Sequence, residues 1–224
     1  MENSIAVIAS LIGEPIRAKI LWSLMDGRAY TARELAIGVE TTPQNLSMHL
    51  GKLLRAGLLA VEVQGRHRYY SFSREEVAYA IEAIANLVPA EQAVRKDTDM
   101  APIQFCRTCY DHLAGKVGVS ITEGLLRLKL VVYRDKELDV TPRGVQWFSE
   151  WGIDCAELRE QRRVFAKPCL DWTERRHHLA GALGAALLEK LMEAHWLRRT
   201  AQSRAVVVTA KGRQGLEKQL NIQW

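Results

Sequence analysis

Two cysteines and a histidine stand close together near the middle of the chain, in an arrangement suited to metal or redox chemistry. Cys106 and Cys109 form a C-x-x-C pair, and His112 follows three residues later. On a helix this spacing would place the three side chains along one face. Thiolates and imidazoles bind zinc or another soft metal, and neighbouring thiols can form a reversible disulfide. Packing as small apolar core residues is a third interpretation, and the sequence leaves all three open.

Further downstream, Cys169 is the fourth candidate for the metal or redox site. The segment that follows it holds carboxylates, an indole, two guanidiniums and two imidazoles, which are groups that bind small polar molecules. We therefore predict part of an effector pocket there, formed by Trp172, Arg176, His177 and His178. The alternative is a polar helix start in which Trp172 serves as a packing residue.

A third set of polar side chains lies between Thr42 and Arg68 and suits contact with DNA. Asparagine and glutamine can form paired hydrogen bonds with adenine, and serine or histidine can donate or accept at base edges. Lysine and arginine are suited to phosphate contacts. The predicted DNA-contacting residues are Thr42, Gln44, Asn45, Ser47, His49, Lys52, Arg55, Arg66 and Arg68.

The charge of the chain agrees with a polyanionic partner but does not locate it. The formal net charge is +5 and the sequence pI is about 9.1. Residues 1–88 nevertheless carry as many acidic as basic side chains. Between Thr42 and Tyr70 the chain has four basic residues and one acidic residue, Glu62. The local charge is therefore more informative there than the net charge of the whole chain. A solvated polar face remains the alternative interpretation of this window.

The elements that would position these DNA-contacting residues are a helix-turn-helix and a β-hairpin. Thr31 and Glu34 form a capping box at the start of a short helix, and a second cap at Thr41 or Thr42 precedes Pro43. The helix that follows is amphipathic and stops at Gly57. Residues 58–63 and 67–72 then read as two strands around a turn, and a last helix is expected over 75–88.

The segments NLSMHLGKLLRAGLL and G-R-x-R-Y-Y, in this order, resemble the ArsR/SmtB winged-helix repressors over about residues 5–88. The resemblance implies a homodimer that binds a two-fold operator, with the dimer interface built from the first and last helices of the domain. It also implies repression that a ligand relieves. The chain departs from the family's metal sensors, because ELAIGVET holds no cysteine and REEVAYAIEAIANLV holds no histidine. Any effector must therefore act elsewhere.

The second half of the chain contains an internal similarity. His112-Leu-Ala-Gly115 recurs as His178-Leu-Ala-Gly181, and Val140-Thr-Pro-Arg-Gly144 recurs as Val208-Thr-Ala-Lys-Gly212. We predict an internal duplication with repeats over about 106–154 and 169–224, each resembling the later part of a winged helix. Chance similarity within a helical domain is the alternative, and contact of these repeats with DNA stays open.

These observations predict a mainly α protein with small β-wings (an α+β fold) in three parts. Residues 1–88 form a winged helix-turn-helix, 89–104 a linker, and 105–224 a duplicated sensing or dimerisation domain. No apolar run is long enough to span a membrane and no secretory signal is present, so we expect a cytoplasmic protein with reduced thiols.

The expected function is that of a regulator rather than an enzyme: a homodimeric repressor of double-stranded DNA operators. A small molecule, a metal ion (zinc or another soft metal) or thiol oxidation at the C-terminal domain would release it. The alternatives are a thiol–disulfide oxidoreductase or a metal-stabilised interaction protein that uses Cys106 and Cys109.

Overall fold

The computed structural model describes residues 2–89, 102–201 and 203–223, and the chain contacts divide it into two units. The N-terminal unit comprises Met1–Ala85 and the C-terminal unit comprises Asn86–Trp224. None of the helices in the described ranges has the length and apolarity that a membrane span requires.

The N-terminal unit contains five helices and a three-stranded antiparallel sheet. Its elements are α1 (Glu2–Ile12), α2 (Pro15–Ser23), β1 (Tyr30–Thr31), α3 (Ala32–Gly38), α4 (Pro43–Arg55), β2 (Leu59–Gln64), β3 (His67–Phe72) and α5 (Glu75–Ala85). The strand order in the sheet is β1-β3-β2. The helix-turn-helix, α3 and α4, and the hairpin, β2 and β3, occur where the sequence predicts them.

The predicted caps are formed. Thr31 Oγ1 accepts a hydrogen bond from the Glu34 amide, and the Glu34 carboxylate accepts one from the Thr31 amide, which completes the capping box of α3. Thr42 Oγ1 caps α4 by accepting from the Asn45 amide at 3.3 Å. Glu40 adopts a left-handed backbone (φ 56°) in the four-residue turn, 39–42, that separates α3 from α4.

One apolar core supports this unit. The inward stripe of α4 contributes Leu46, Leu50 and Leu53, which are almost completely buried. They join apolar side chains from α2, α3, both wing strands and α5. The short strand β1 is not predicted from the sequence, because two residues are too few to show an alternating pattern; it pairs with β3 through Tyr30 and Tyr70.

The C-terminal unit shows the same order of elements twice. The first series is β4 (Arg107–Cys109), β5 (His112–Ala114), α7 (Gly115–Arg127), β6 (Val131–Arg134), β7 (Glu137–Val140) and α8 (Pro142–Glu150). The second series is β8 (Lys167–Leu170), β9 (His177–Ala180), α10 (Gly181–Glu193), β10 (Leu197–Arg199), β11 (Val206–Val208) and α11 (Ala210–Leu220). A shorter helix precedes each series: α6 (Pro102–Phe105) comes before β4, and α9 (Cys155–Glu160) comes before β8.

The two series also share local interactions. Thr141 caps α8 and Thr209 caps α11, each by accepting a hydrogen bond from an amide three residues later at 3.0 Å. Those amides belong to Gly144 and Gly212. A Cβ at Gly144 would lie 1.9 Å from the Leu130 carbonyl oxygen, and the equivalent position at Gly212 is as crowded. The recurring V-T-x-[RK]-G pattern is thus a packed junction between a strand and a helix.

The segment that carries Cys109 and His112 is not the helix on which their spacing would place them along one face with Cys106. Residues 107–114 form the β4–β5 hairpin, with Tyr110 in a left-handed conformation (φ 59°) at its turn. A spacing of three fits one face of a helix, but it also fits two residues that face each other across a two-residue turn. The predicted linker, 89–104, lies largely outside the described residues, and its last three residues belong to α6.

Candidate functional site

The exposed face of α4 carries most of the predicted DNA-contacting side chains. Gln44, Ser47, Lys52 and Arg55 are exposed and recur every three to five residues, so they line one side of the helix. The polar residues occupy the first two turns and the basic residues the last two. This arrangement presents hydrogen-bonding groups at one end of the helix and positive charge at the other.

The side chains at the start of α4 differ in how they are held. Thr42 is exposed, and its hydroxyl caps the helix. Asn45 is half-buried, and its Nδ2 donates to Thr41 Oγ1 at 2.9 Å. The Ser47 hydroxyl donates to the Pro43 carbonyl at 2.8 Å, which leaves its oxygen able to accept. Asn45 therefore has a structural contact, whereas Gln44 and Ser47 lie on the outer surface.

The prediction that His49 is exposed for base contact is wrong. His49 is buried, and its Nδ1 lies 3.1 Å from Glu14 Oε2. The same carboxylate caps α2 by accepting from the Arg17 amide at 2.9 Å. His49 lies three residues after Leu46 and next to Leu50, so it shares their inward side of the helix. It joins α4 to the start of α2 instead of pointing at a ligand.

The wing presents the other two predicted contacts. β2 and β3 pair from Leu59↔Phe72 to Gln64↔His67, and the turn holds Gly65, with φ +60°, and Arg66. Arg66 and Arg68 are both exposed. Two guanidiniums at the tip of a hairpin are suited to phosphate oxygens or to a minor groove.

A second candidate site is a cluster of thiols and imidazoles inside the C-terminal unit. One ligand atom from each of four side chains lies within 4.8 Å of all the others, and we call this group the Cys–His cluster: Cys109, His112, Cys169 and His178. Cys109 is the cross-strand partner of His112 in the β4–β5 hairpin, and Cys169 is the partner of His178 in the β8–β9 hairpin. Each hairpin therefore contributes one cysteine and one histidine on the same face.

The two histidines meet at the centre of the cluster, and carboxylates lie behind them. His112 Nε2 and His178 Nε2 are 3.1 Å apart. On the other side of each ring, His112 Nδ1 lies 3.4 Å from Asp111 and His178 Nδ1 lies 3.4 Å from Asp171. Although burial opposes the ionised form of Asp171, hydrogen bonding by His178 and the charge of Arg107 hold the pKa of Asp171 well below its usual range.

Asp171 also orders the backbone around the cluster. Its Oδ2 accepts a hydrogen bond from the Gly115 amide, at the start of α7, at 2.7 Å. The same oxygen accepts a hydrogen bond from Arg107 Nη2 at 2.9 Å. Its Oδ1 accepts from the Thr173 and Glu174 amides. One buried carboxylate thus connects β4, α7 and the β8–β9 loop. Asp171 and Arg107 are site residues that the sequence does not predict, because their partners are distant along the chain.

Cys106 does not belong to the cluster, contrary to its place in the predicted metal or redox site. It is fully buried among the apolar residues of the C-terminal core, and burial raises the pKa of its thiol to about 12. Since the thiolate is both the metal ligand and the redox nucleophile, this environment disfavours both roles. Cys109, His112 and Cys169 are brought together as candidates, and His178 replaces Cys106 as the fourth member.

The predicted effector pocket is not formed as one cavity. His177 is exposed while His178 is buried, because neighbouring residues of a strand point to opposite faces. Arg176 is exposed and forms an ion pair with Glu123. Trp172 is half-buried and stacks on the Arg107 guanidinium, 4.8 Å from the ring centroid. Of these four residues, His178 is a member of the Cys–His cluster. Trp172 packs on Arg107, which forms an ion pair with Asp171 beside His178.

Comparison with known proteins gives a match along the whole chain and others to its N-terminal part. A helix-turn-helix domain family matches residues 12–62. The uncharacterized HTH-type transcriptional regulator YdfF of Bacillus subtilis is 43% identical over 225 residues, which cover 100% of both chains. The HTH-type transcriptional regulator CmtR of Mycobacterium tuberculosis is 30% identical over 89 residues, covering 40% of this chain and 75% of CmtR.

Among solved structures, HlyU from Vibrio cholerae matches 38% of this chain and 92% of its own, with 28% identity and a TM-score of 0.36. The full-length match to YdfF and the helix-turn-helix match agree with the α3–α4 and wing geometry. The chain therefore belongs to the HTH-type transcriptional regulators, with a DNA-binding winged helix-turn-helix at its N-terminus.

Proposed function

We propose that this regulator is a homodimeric repressor that reads a two-fold operator with α4 and the wing, and that the C-terminal unit controls its release. The observation that carries the proposal is the outer face of α4, where Gln44 and Ser47 stand beside the basic residues Lys52 and Arg55. Hydrogen-bonding groups next to phosphate-binding cations are what sequence-specific binding in a major groove requires.

The surface of α1 supports the dimer. The helix is rich in apolar residues, yet none of its described side chains is buried within the unit. Ile5 is 62% exposed and Val7 is 58% exposed, and Ile84 on α5 is also exposed. Ile8, Leu11 and Ile12 of α1 pack against the core, but the exposed apolar side chains on the rest of the helix lack the hydrophobic stabilisation that burial would give them. A second copy of this chain, which presents the same helices, would cover both surfaces in a two-fold arrangement.

The C-terminal unit supplies the proposed control. Its two series of elements support an origin by internal duplication, and the Cys–His cluster lies where the first hairpin of one series meets the first hairpin of the other. A metal ion, or oxidation of the cluster thiols, would change the charge and bonding at that junction. We propose that such a change alters operator affinity.

The alternative of a thiol–disulfide oxidoreductase has less support. Catalysts of that type need a thiolate at low pKa, exposed to its substrate. Cys106 is fully buried with a raised pKa, and Cys109 lies in a hairpin strand. The relatives reported above are named as transcriptional regulators.

A gel-shift experiment at two salt concentrations tests the proposal. Full-length protein is titrated against the duplex upstream of its own gene and against a random duplex of equal length. We expect binding to the upstream duplex to be at least about a thousandfold tighter than to the random one. Equal affinity for both, with the same salt dependence, would show that the protein does not read sequence there.

Release is tested with the same upstream duplex in the presence of zinc, a chelator or an oxidant. A change in affinity of at least about fivefold under one of these conditions supports control by the C-terminal unit. Identical affinity under all three contradicts control by metal or thiol oxidation, while leaving sequence-specific binding intact.

A further inference from the structure

The Cys–His cluster has the composition and placement of a closed metal site. Its two thiols and two imidazoles come from two hairpins, and their ligand atoms lie within 4.8 Å of one another. Four ligands at about 2.0–2.3 Å from a tetrahedral zinc are separated from each other by about 3.3–3.8 Å. The cluster therefore needs a contraction of no more than about 1.0–1.5 Å to reach ligation geometry.

The orientation of the two imidazoles favours a cation between them. Each Nδ1 lies 3.4 Å from a carboxylate oxygen, of Asp111 for His112 and of Asp171 for His178. A proton on each Nδ1 would face those carboxylates and leave both Nε2 atoms with lone pairs. The two Nε2 atoms are only 3.1 Å apart, so their lone pairs would repel unless a proton or a metal ion lies near both.

Carboxylates behind ligating histidines are a usual feature of metal sites, because they fix the ring orientation and its tautomer. Asp171 is well suited to this role, since it is fully buried and is itself held by Arg107 and by backbone amides. Asp111 is held from the solvent side by Arg163, whose Nη1 donates at 2.6 Å.

Two glycines allow the hairpins to be enclosed by helices. A Cβ on Gly118 of α7 would lie 3.6 Å from the Cβ of His178, and one on Gly184 of α10 would lie 3.2 Å from the Cβ of His112. Each helix thus packs closely against the histidine of the other series. This packing keeps His112 and His178 buried and limits the movement of the donor atoms.

We propose that one zinc-class divalent cation binds in the Cys–His cluster and joins the two hairpins. On binding, each thiol releases its proton to solvent and the sulfur forms a bond to the metal, while each imidazole donates its Nε2 lone pair. Two thiolates neutralise the charge of a divalent ion, so a buried site carries no net charge. A mixed sulfur and nitrogen set of four is a usual set for zinc, and a site with four protein ligands is of the closed, structural kind.

The proposal names the ligand for the control by the C-terminal unit, and its regulatory role rests on that proposed function. Metal binding is tested without DNA, so that its failure is separate from a failure of operator binding. Full-length protein is freed of metal with a chelator under reducing conditions and titrated with cobalt(II), which reports thiolate ligation by an intense near-ultraviolet charge-transfer band. We expect saturation at one equivalent per chain and loss of the band when zinc is added. Absence of the band in folded protein would overturn the proposal.

Paired variants locate the site. Cys169→Ser and His178→Gln should each weaken cobalt binding by at least about tenfold. The matched controls Cys155→Ser and His177→Gln alter residues outside the cluster and should bind as the wild type does. A band that survives Cys169→Ser but is lost in Cys106→Ser would place the metal at the C-x-x-C pair and contradict the proposal.

If the variants do not fold, alkylation of the wild-type protein tests independently whether the metal binds Cys109 and Cys169. Zinc should slow the alkylation of both Cys109 and Cys169, measured by peptide mass spectrometry, by at least about tenfold. Equal rates at both cysteines with and without zinc would contradict the proposed ligation.

Discussion

Arg107 and Asp171 form an ion pair inside the C-terminal unit, with Nη2 2.9 Å from Oδ2 and side-chain exposures of 1% and 0%. The two residues belong to different hairpins, so the pair connects the two series of elements. Buried charges are tolerated when they are paired and hydrogen-bonded, and both conditions hold here. The pair also fixes the carboxylate that lies beside His178.

Asp171→Asn should destabilise the C-terminal unit strongly. The change leaves the Arg107 charge buried without its carboxylate, and removal of one partner of a buried pair costs about 3–5 kcal/mol. Chemical denaturation in the presence of a chelator measures the free energy of unfolding without a metal contribution. Asp135→Asn, at an exposed turn, is the control and should change it by less than about 0.5 kcal/mol. Similar effects for the two variants would show that the buried pair contributes no special stability.

The pH dependence of stability should depend on the same carboxylate. The pKa of Asp171 in the folded protein is held below its ordinary value of about 3.9 in the unfolded chain. Its contribution is therefore complete above about pH 4 and is lost as the pH falls towards the folded pKa. Unfolding free energies measured between about pH 5 and pH 3 should fall more steeply for the wild type than for Asp171→Asn. Parallel curves would contradict this assignment.

His49→Gln should destabilise the N-terminal unit by about 1 kcal/mol, because it removes the contact with Glu14 that joins α4 to α2. A double-mutant cycle with Glu14→Gln measures the coupling directly, and we expect about 0.5 kcal/mol or more. His67→Gln, on the exposed wing, is the control for loss of an imidazole. A coupling of zero would mean that the buried contact does not stabilise the helix pair.

Base recognition and phosphate contact should respond differently to substitution. Gln44→Ala should lower the preference for the operator over a mismatched duplex by about 1–3 kcal/mol. Arg66→Ala should weaken binding to both duplexes alike and reduce the slope of log K against log salt by about 1. Fluorescence anisotropy at several salt concentrations separates the two effects. If Arg66→Ala changes the preference and Gln44→Ala does not, the proposed roles are reversed.

Gly215→Ala should destabilise α11. An added Cβ would lie 2.2 Å from Cζ2 of Trp196, whose ring also packs edge-to-face on Trp151. Overpacking of this kind costs about 1–3 kcal/mol, measured by thermal or chemical denaturation. Gly38→Ala is the matched control at the end of α3, where the nearest atom to a new Cβ is 3.9 Å away. Equal stability of the two variants would mean that the Trp196 ring moves at little cost.

Ile5→Glu should dissociate the proposed dimer. A carboxylate on the exposed apolar face of α1 would lie in the interface without a partner, and burial of an unpaired charge is strongly unfavourable. Light scattering after size-exclusion chromatography gives the molar mass in solution. Val164→Glu changes an equally exposed apolar residue of the C-terminal unit and should leave the mass unchanged. A wild-type monomer at micromolar concentration would contradict the dimer itself.

The sequence alone determined the N-terminal unit in considerable detail. The capping box at Thr31, the cap at Thr41 or Thr42, of which the structure uses Thr42, and the wing turn near Gly65 all depend on residues within a few positions of each other. Short-range hydrogen bonds and backbone preferences decide such elements, so their pattern is visible in the chain. The matching caps at Thr141 and Thr209 were predictable from the sequence for the same reason.

The tertiary structure decided which side chains share a site. The spacing of His49 from Leu46 and Leu50 already places it on the inward side of α4, but only the packing of α4 on α2 brings its ring to Glu14. The spacing of Cys106, Cys109 and His112 fitted both a helix and a hairpin, and only the strand register places Cys109 opposite His112 and leaves Cys106 in the core. Asp171 and His178 approach Arg107 and His112 across more than sixty residues of chain. Contacts of that range depend on how whole hairpins and helices pack, and no local pattern in the sequence encodes them.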